Sequence, residues 1–388
     1  MSNVDGASTT EPFRRRVEVC QDALEDRNAE AVICFPGSNM TYLSGFSEEP
    51  MERHLLLFVT RSETVFLAPE LYAEQLAAES WVTDRRTWAD GDDPRNLIDG
   101  IATDLGIGGG GSGGDGGSRK VLLDDRMWEL FSHDIRRTLP ESEFGLASEV
   151  LDYLRIRKDE HELDRLREAA RIADVVSVTV RERGDEAIGM TETELAREIE
   201  SRLTAAGGSG ISFEPVVGSG PNGALPHHRH SDREIESGEP VVLDFGTLVG
   251  GYPSDQTRTI VFDGTPPRQF ERAYEAVRAA QQAGIEAIEP GIEAGAVDRA
   301  VRSVIEERGY GDAFTHRTGH GVGLDVHEPP YLVDGNTRTL ETGMVTSVEP
   351  GIYLEGEFGV RVEDLVVVTD DGCERLNDSP RTFGSLSG

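Results

Sequence analysis

Lysine is almost missing from this chain: Lys120 and Lys158 are the only two in 388 residues. Against 72 acidic residues stand 38 basic ones, a formal net charge of −34. A surface of that sign repels nucleic acid and anionic membranes, which excludes both as partners. Cysteine is nearly as scarce. Cys20, Cys34 and Cys373 lie far apart and form no C-x-x-C pair, which argues against a thiolate zinc site and a disulfide framework. No apolar run approaches the roughly 20 residues of a membrane-spanning helix. The arginines 14–16 are not followed by the apolar segment of an export signal. These absences predict a cytoplasmic protein with neither a membrane nor a nucleic acid as partner.

What is abundant is acid, spread along the whole length. A carboxylate-rich, lysine-poor surface resembles that of halophilic proteins, whose saline surroundings screen the self-repulsion. It reports the environment rather than the activity. The length suffices for two domains. Over residues 11–145, helical and strand patterns alternate as in a small α/β domain with a mixed sheet. Residues 1–10 read as frayed. A stretch of almost pure glycine and serine at 106–118 reads as a flexible loop within that domain, because it lacks the Lys-Ser/Thr ending of a phosphate-binding loop. From 150 to 388 a long helix at 158–183 leads on to a helix starting at the capping box Thr191/Glu194. A hairpin then joins 239–245 to 252–262. Two more helices precede a second hairpin, joining 344–353 to 359–369. Helix-then-hairpin thus occurs twice, like an internal pseudo-repeat.

Each hairpin carries two acids. Asp244 interrupts the apolar run Val241–Phe245, and Asp255 lies on the return strand with Thr257 on the same face. Glu349 ends a strand before Pro350, and Glu363 is predicted mid-strand with Arg361 on the same face, placed to neutralise and orient carboxylates. A lone buried carboxylate costs several kcal/mol, so each must be paired, protonated or on a metal. Taken singly, each fits an ordinary salt-bridged hairpin. Taken together with His320, in the glycine-rich stretch Thr318–His327, they read as ligands for a pair of metal ions. Four carboxylates and one imidazole are mainly hard donors, suited to Mn²⁺, Co²⁺, Fe²⁺ or Zn²⁺ and too poor in histidine for copper.

The runs 225–259 and 318–365 resemble the pita-bread metallopeptidases, the family of Xaa-Pro dipeptidase (prolidase), aminopeptidase P and methionine aminopeptidase. The order Asp, Asp, His, Glu, Glu matches at Asp244, Asp255, His320, Glu349 and Glu363. The segment 39–46 resembles the N-terminal domain of the proline-directed members. The fold implied is α+β: a C-terminal pita-bread catalytic domain preceded by a smaller creatinase-like α/β domain with a mixed sheet.

The resemblance implies hydrolysis of the bond between an N-terminal residue and proline by two metal ions, with manganese expected first. It implies that His227 faces the substrate and helps stabilise the tetrahedral intermediate. His327 is implied to contact the substrate carbonyl or the residue after the scissile bond. Glu349, besides holding metal, is implied to shuttle a proton. The neighbouring His228 and His230 read as surface residues, and His316 as a candidate for the mouth of the site. Where some prolidases place an arginine for the carboxylate of a dipeptide's proline, this chain has Tyr331, taken as substrate-binding; that leaves room for longer peptides. A homodimer formed through the N-terminal domains is also implied. The alternatives are a methionine aminopeptidase-like enzyme, a non-peptidase binding protein on the same fold, and a hydrolase or lyase using the metal pair on a non-peptide substrate.

Overall fold

A computed structural model describes residues 6–108 and 120–384. Its contacts divide the chain after Arg155 into two compact units. The first unit opens with helix α1 (Gly6–Asp26), so residues 6–10 are helical, while 1–5 lie outside the described residues. Strand β1 (Ala29–Cys34), helix α2 (Ser38–Ser44), the hairpin β2 (Leu56–Thr60)–β3 (Thr64–Pro69) and helix α3 (Ala73–Glu79) follow. Then come β4 (Asp84–Trp88), α4 (Pro94–Leu105), β5 (Lys120–Leu123), α5 (Glu129–Thr138), β6 (Glu143–Leu146) and α6 (Ser148–Arg155).

Among the described residues, six strands of this unit form one mixed sheet in the order β4-β3-β2-β1-β5-β6. Strand β1 is apolar apart from Glu30 because it is central: it pairs antiparallel with β2 and parallel with β5. Ile33, Phe58, Leu67, Ile98, Leu123 and Phe131 belong to the core on one side of the sheet. The edge strands β4 and β6 escape a reading by apolar pattern, since Asp-Arg-Arg-Thr-Trp and Glu-Phe-Gly-Leu are largely accessible. Polar edges of this kind discourage pairing with another chain. Gly106 ends α4 in the left-handed conformation, at φ 71°. Positions 109–118 of the expected glycine-rich loop lie outside the described residues.

The second unit starts with helices α7 (Glu160–Arg181) and α8 (Glu192–Ala205). Both open on capping boxes, Asp159/Glu162 and the expected Thr191/Glu194. Strands β7 (Val216–Ser219), β8 (Val241–Phe245), β9 (Leu248–Val249), β10 (Tyr252–Pro253) and β11 (Gln256–Ile260) follow. Helices α9 (Arg268–Ala287) and α10 (Ala294–Glu307) precede β12 (Gly319–Gly321), β13 (Glu328–Leu332), β14 (Val345–Val348), β15 (Gly351–Leu354), β16 (Phe358–Arg361), β17 (Asp364–Thr369) and β18 (Gly372–Arg375).

The two hairpins of the sequence prove to be broken hairpins of one design. The pair β8/β11 is closed by the short ribbon β9/β10, and the pair β14/β17 by the ribbon β15/β16. Between outer pair and ribbon each hairpin leaves its sheet for a few residues. Asp255 sits in such a break immediately before β11. Glu363 sits in the matching break immediately before β17, not in mid-strand as expected. There its amide N–H donates to the Thr257 carbonyl at 3.1 Å, which joins the two hairpins. Apolar residues of α7, α8, β8 and β11 pack as one core, including Val180, Leu195, Leu243 and Ile260. Residues of α9, α10, β15 and β16 make another, including Phe270, Val301, Ile352 and Phe358.

Candidate active site

Gly319 and Gly321 flank His320 on β12, and each is required by close packing. A Cβ at Gly319 would lie 2.0 Å from the Ser347 carbonyl oxygen, and one at Gly321 would lie 2.2 Å from that of Pro329. The glycines thus bring β12 tightly between its neighbours, β13 and β14. The His320 N–H donates to Ser347 Oγ at 3.0 Å, and its ring Nδ1 lies 3.1 Å from the Gly321 carbonyl. That leaves Nε2 facing the acids, 3.2 Å from Glu349 Oε1 and 3.6 Å from Asp255 Oδ2.

All five residues read as metal ligands line one cleft of about 830 Å³, together with His227, His327, His316 and Arg361. Ligand atoms of Asp244, Asp255 and Glu363 lie within 4.8 Å of one another, as do those of His320, Glu349 and Glu363. His320 and His327 meet edge to face with ring centroids 4.1 Å apart. Asp255, His320 and Glu363 are buried, whereas His227 and His327 are exposed on the wall of the cleft.

The acids are held from behind. The Arg361 guanidinium donates to Asp244 Oδ2 at 2.6 Å, to Thr257 Oγ1 at 2.9 Å, to Tyr353 Oη at 2.9 Å and to the Pro226 carbonyl at 3.2 Å. Thr257 Oγ1 donates in turn to Glu363 Oε2 at 2.6 Å. Thr257 and Arg361 thus hold Glu363 and Asp244 by direct hydrogen bonds. His316 reaches Tyr353 Oη through Nε2 at 2.9 Å, extending the chain to the cleft wall. Tyr353 escaped sequence reasoning, because a tyrosine in a strand carries no mark of what its hydroxyl touches.

The electrostatics show an excess of negative charge. Burial, then repulsion from Glu363 and Asp244, raises the Asp255 carboxyl well above its ordinary range. Burial, then Glu349 and Asp244, does the same to Glu363. Burial also raises Asp244, although Arg361 opposes it. Glu349 moves the other way: burial opposes its charge, but the hydrogen bond and charge of His320 outweigh it. Four carboxylates share one guanidinium and one imidazole, and Asp244 Oδ1 is buried with no hydrogen-bond partner. Oxygen donors in excess of their own cations, one of them unsatisfied, fit divalent metal ions.

Two sequence expectations change place. His228 is not a surface residue: its Nε2 lies 2.8 Å from a carboxylate oxygen of Glu192, which is fully buried. Tyr331 is absent from the cleft lining, and its ring carries the Arg317 guanidinium 4.4 Å above its centroid. Arg317 does line the cleft.

A buried cluster of carboxylates and one imidazole between two matching broken hairpins defines a metallohydrolase. The chain belongs to metallopeptidase family M24, which its residues 164–370 match, while residues 16–157 match the creatinase/prolidase N-terminal domain. It is 39% identical over 378 residues to a probable dipeptidase of Mycobacterium tuberculosis, covering 95% of this chain and 96% of the relative. To an Xaa-Pro dipeptidase of Lactobacillus helveticus it is 35% identical, over 93% of this chain and 96% of that one. Among solved structures, a prolidase from Thermococcus sibiricus superposes with a TM-score of 0.89 at 36% identity, covering 96% of this chain and 99% of that one. Membership implies divalent metal ions. No helix among the described residues is long and apolar enough to cross a membrane.

Proposed function

We propose that this chain hydrolyses the peptide bond between an N-terminal residue and proline, using two divalent ions held by Asp244, Asp255, His320, Glu349 and Glu363. The observation that carries the reading is the convergence of those five side chains in one cleft whose wall presents His227 and His327. The named activities of the Lactobacillus and Thermococcus relatives support the prolyl specificity. Manganese is the first choice of metal, with cobalt, zinc or iron as alternatives.

When bound, a metal pair polarises the scissile carbonyl and the attacking water. Glu349 takes the proton of that water on its carboxylate and passes it to the leaving prolyl nitrogen, which has no amide hydrogen of its own. His227 and His327 donate to the oxygen that gains charge as the carbonyl becomes tetrahedral. Arg361 and Thr257 fix Asp244 and Glu363 from behind, so the acids do not swing as charge moves. A homodimer and a saline cytoplasm complete the reading, supported by the family resemblance and by the charge of −34 respectively.

The test is a panel of Ala-Pro, Ala-Pro-Ala and Met-Ala-Ser, with Mn²⁺, Co²⁺ and Zn²⁺ supplied separately in molar salt. Cleavage of the prolyl peptides is expected. Cleavage of Met-Ala-Ser alone would favour a methionine aminopeptidase and overturn the proposal.

A further inference from the structure

Arg258 is almost completely buried, yet it does not line the cleft. Side chains alternate along β11, so Thr257 meets Glu363 of the acid cluster and Arg258 turns to the opposite face. From there its guanidinium reaches the same glutamate through the main chain. Nη1 donates to the Thr257 carbonyl at 2.9 Å and to the Glu363 carbonyl. Nη2 donates to Asp364 Oδ1 at 2.6 Å and to the Ser379 carbonyl at 3.1 Å. Glu363 is therefore held three ways in the break before β17: its N–H by the Thr257 carbonyl, its carboxylate by the Thr257 hydroxyl, its carbonyl by Arg258. Arg258 is anchored in turn. Asp364 is fully buried, and its Oδ2 accepts from Gln281 Nε2 at 2.9 Å. Ser379 belongs to the segment 378–384 that follows β18, and two side chains of α7 dock that segment. Asp174 accepts from the N–H groups of Asp378 at 2.6 Å and Ser379 at 2.9 Å. Arg181 donates to the carbonyls of Pro380, Thr382 and Gly384.

We infer that Arg258 is a positioning residue of the metal centre: it fixes the main chain of Glu363, so that tight binding of the second ion depends on the segment 378–384, which lines no part of the cleft. The inference rests on the two-ion reading above. Glu363 is the acid whose displacement matters most. Its ligand atoms lie within 4.8 Å of those of Asp244 and Asp255 in one group, and of those of His320 and Glu349 in another. A carboxylate common to both groups must be held to about 0.5 Å for each. The Thr257 hydroxyl fixes one of its oxygens, and a turn of the peptide after Glu363 would still swing the other. Arg258 blocks that turn by holding the carbonyl. Packing alone does not account for the residue. Its Nε is buried with no hydrogen-bond partner, a cost that an apolar side chain of similar volume would avoid. What only the planar guanidinium supplies is a fork that meets two carbonyls of the metal-bearing strands on one side and Asp364 with Ser379 on the other.

The experiment titrates Mn²⁺ into the metal-free, full-length protein by calorimetry, and records the electron paramagnetic resonance of the loaded form. Arg258→Lys keeps a charge beside Asp364 but cannot meet all four acceptors, and Asp174→Asn loosens the segment 378–384 without touching Arg258 or a metal ligand. Val301→Ala, a cavity in the core of α9 and α10, controls for lost stability alone. Arg258→Lys should weaken the second ion about 10–100-fold while the first is bound nearly as before. Its spectrum at equal loading should change from that of a coupled manganese pair toward that of isolated ions. Asp174→Asn should show a smaller loss in the same step. Val301→Ala should melt earlier and bind both ions unchanged, a separation that a merely structural role of Arg258 would not give. Unchanged binding of the second ion in Arg258→Lys, or equal weakening of it in Val301→Ala, would overturn the inference and leave the two-ion reading standing. Should the unaltered protein bind a single ion, the two-ion reading fails, and Arg258 is then judged on the affinity for that ion: loss in Arg258→Lys and Asp174→Asn but not in Val301→Ala supports its positioning role, and any other pattern overturns it.

Discussion

Arg361 Nη2 lies 2.6 Å from Asp244 Oδ2, joining two residues 117 positions apart in the chain. The contact links ribbon strand β16 of the second broken hairpin to β8 of the first. Through Nη1 the same guanidinium also holds the carbonyl of Pro226, the residue before His227. One side chain thus ties a carboxylate of the cluster to the loop that carries the cleft-facing histidine.

Replacing Arg361 with methionine should therefore damage metal retention and turnover together. Asp244 would lose its one cationic partner among the described residues, and Thr257 one of its bonds. Metal affinity is expected to fall about 10–100-fold, the usual effect of removing a group that orients ligands. Arg361→Lys should recover little, because a single ammonium cannot meet four acceptors in that plane. Metal content after dialysis and kcat/KM check this. Full stoichiometry with unaltered kcat/KM would show that Asp244 is oriented by something else.

Much of this centre was legible in the sequence. An aspartate inside Val-Val-Leu-Asp-Phe, and acids repeated in two hairpin patterns, stand out because a buried charge must be compensated. The group that compensates it is harder to read. Tyr353 with His316, and Tyr331 with Arg317, meet between a strand and the loop before β12, separated in sequence, and nothing local marks those meetings. The position of Glu363 was missed for a related reason. Residues 359–369 read as one continuous strand, but the chain leaves one strand and enters another at Val362–Glu363. What breaks the run is the bond from the Glu363 amide to Thr257, a tertiary contact.

Glu192 is a second such residue, and it yields a prediction about both stability and rate. Its carboxylate is fully buried. Oε1 accepts from the Ser219 N–H at 2.7 Å, Ser219 Oγ at 2.8 Å and Asn222 Nδ2 at 3.0 Å. Oε2 accepts from the Ser231 N–H at 3.0 Å and Ser231 Oγ at 2.7 Å. The two bonded amides bracket the loop that carries His227. Burial opposes the charge, but the donors, led by the Ser219 N–H and followed by His228, Ser231 and Asn222, outweigh it and lower the carboxyl below its ordinary value. A lowered value means the stabilisation is fully present above the unfolded carboxylate range and is lost as pH falls through the folded value. Glu192→Gln places an amide N–H₂ against existing donors and should cost about 2–3 kcal/mol at neutral pH. The gap between variant and unaltered protein should narrow steadily from pH 7 toward pH 3. Because His227 stands on the bracketed loop, kcat should fall more than KM rises. Urea melts at several pH values and steady-state kinetics test both statements; a gap that widens in acid would contradict the assignment.

Lys158, one of only two lysines, carries the last prediction. Its Nζ is fully buried and lies 2.7 Å from Glu328 Oε1, beside the cleft residue His327 in sequence. Removing one partner of a buried pair strips the other charge of a counter-charge 2.7 Å away at no gain in solvation, so Lys158→Met should destabilise by about 3–5 kcal/mol. Removing both charges should do far less harm, since well-packed apolar replacements of a buried pair are often neutral. The double change Lys158→Met with Glu328→Leu is therefore expected to recover most of the lost stability. It should not recover the rate to the same degree, because β13 would keep its packing but lose the directional bond that ties position 328, next to His327, to position 158. Denaturant melts of both single variants and the double variant give the coupling energy directly. Strictly additive losses would show that the two charges do not depend on each other, and kinetics of the double variant would then have no reason to lag behind its stability.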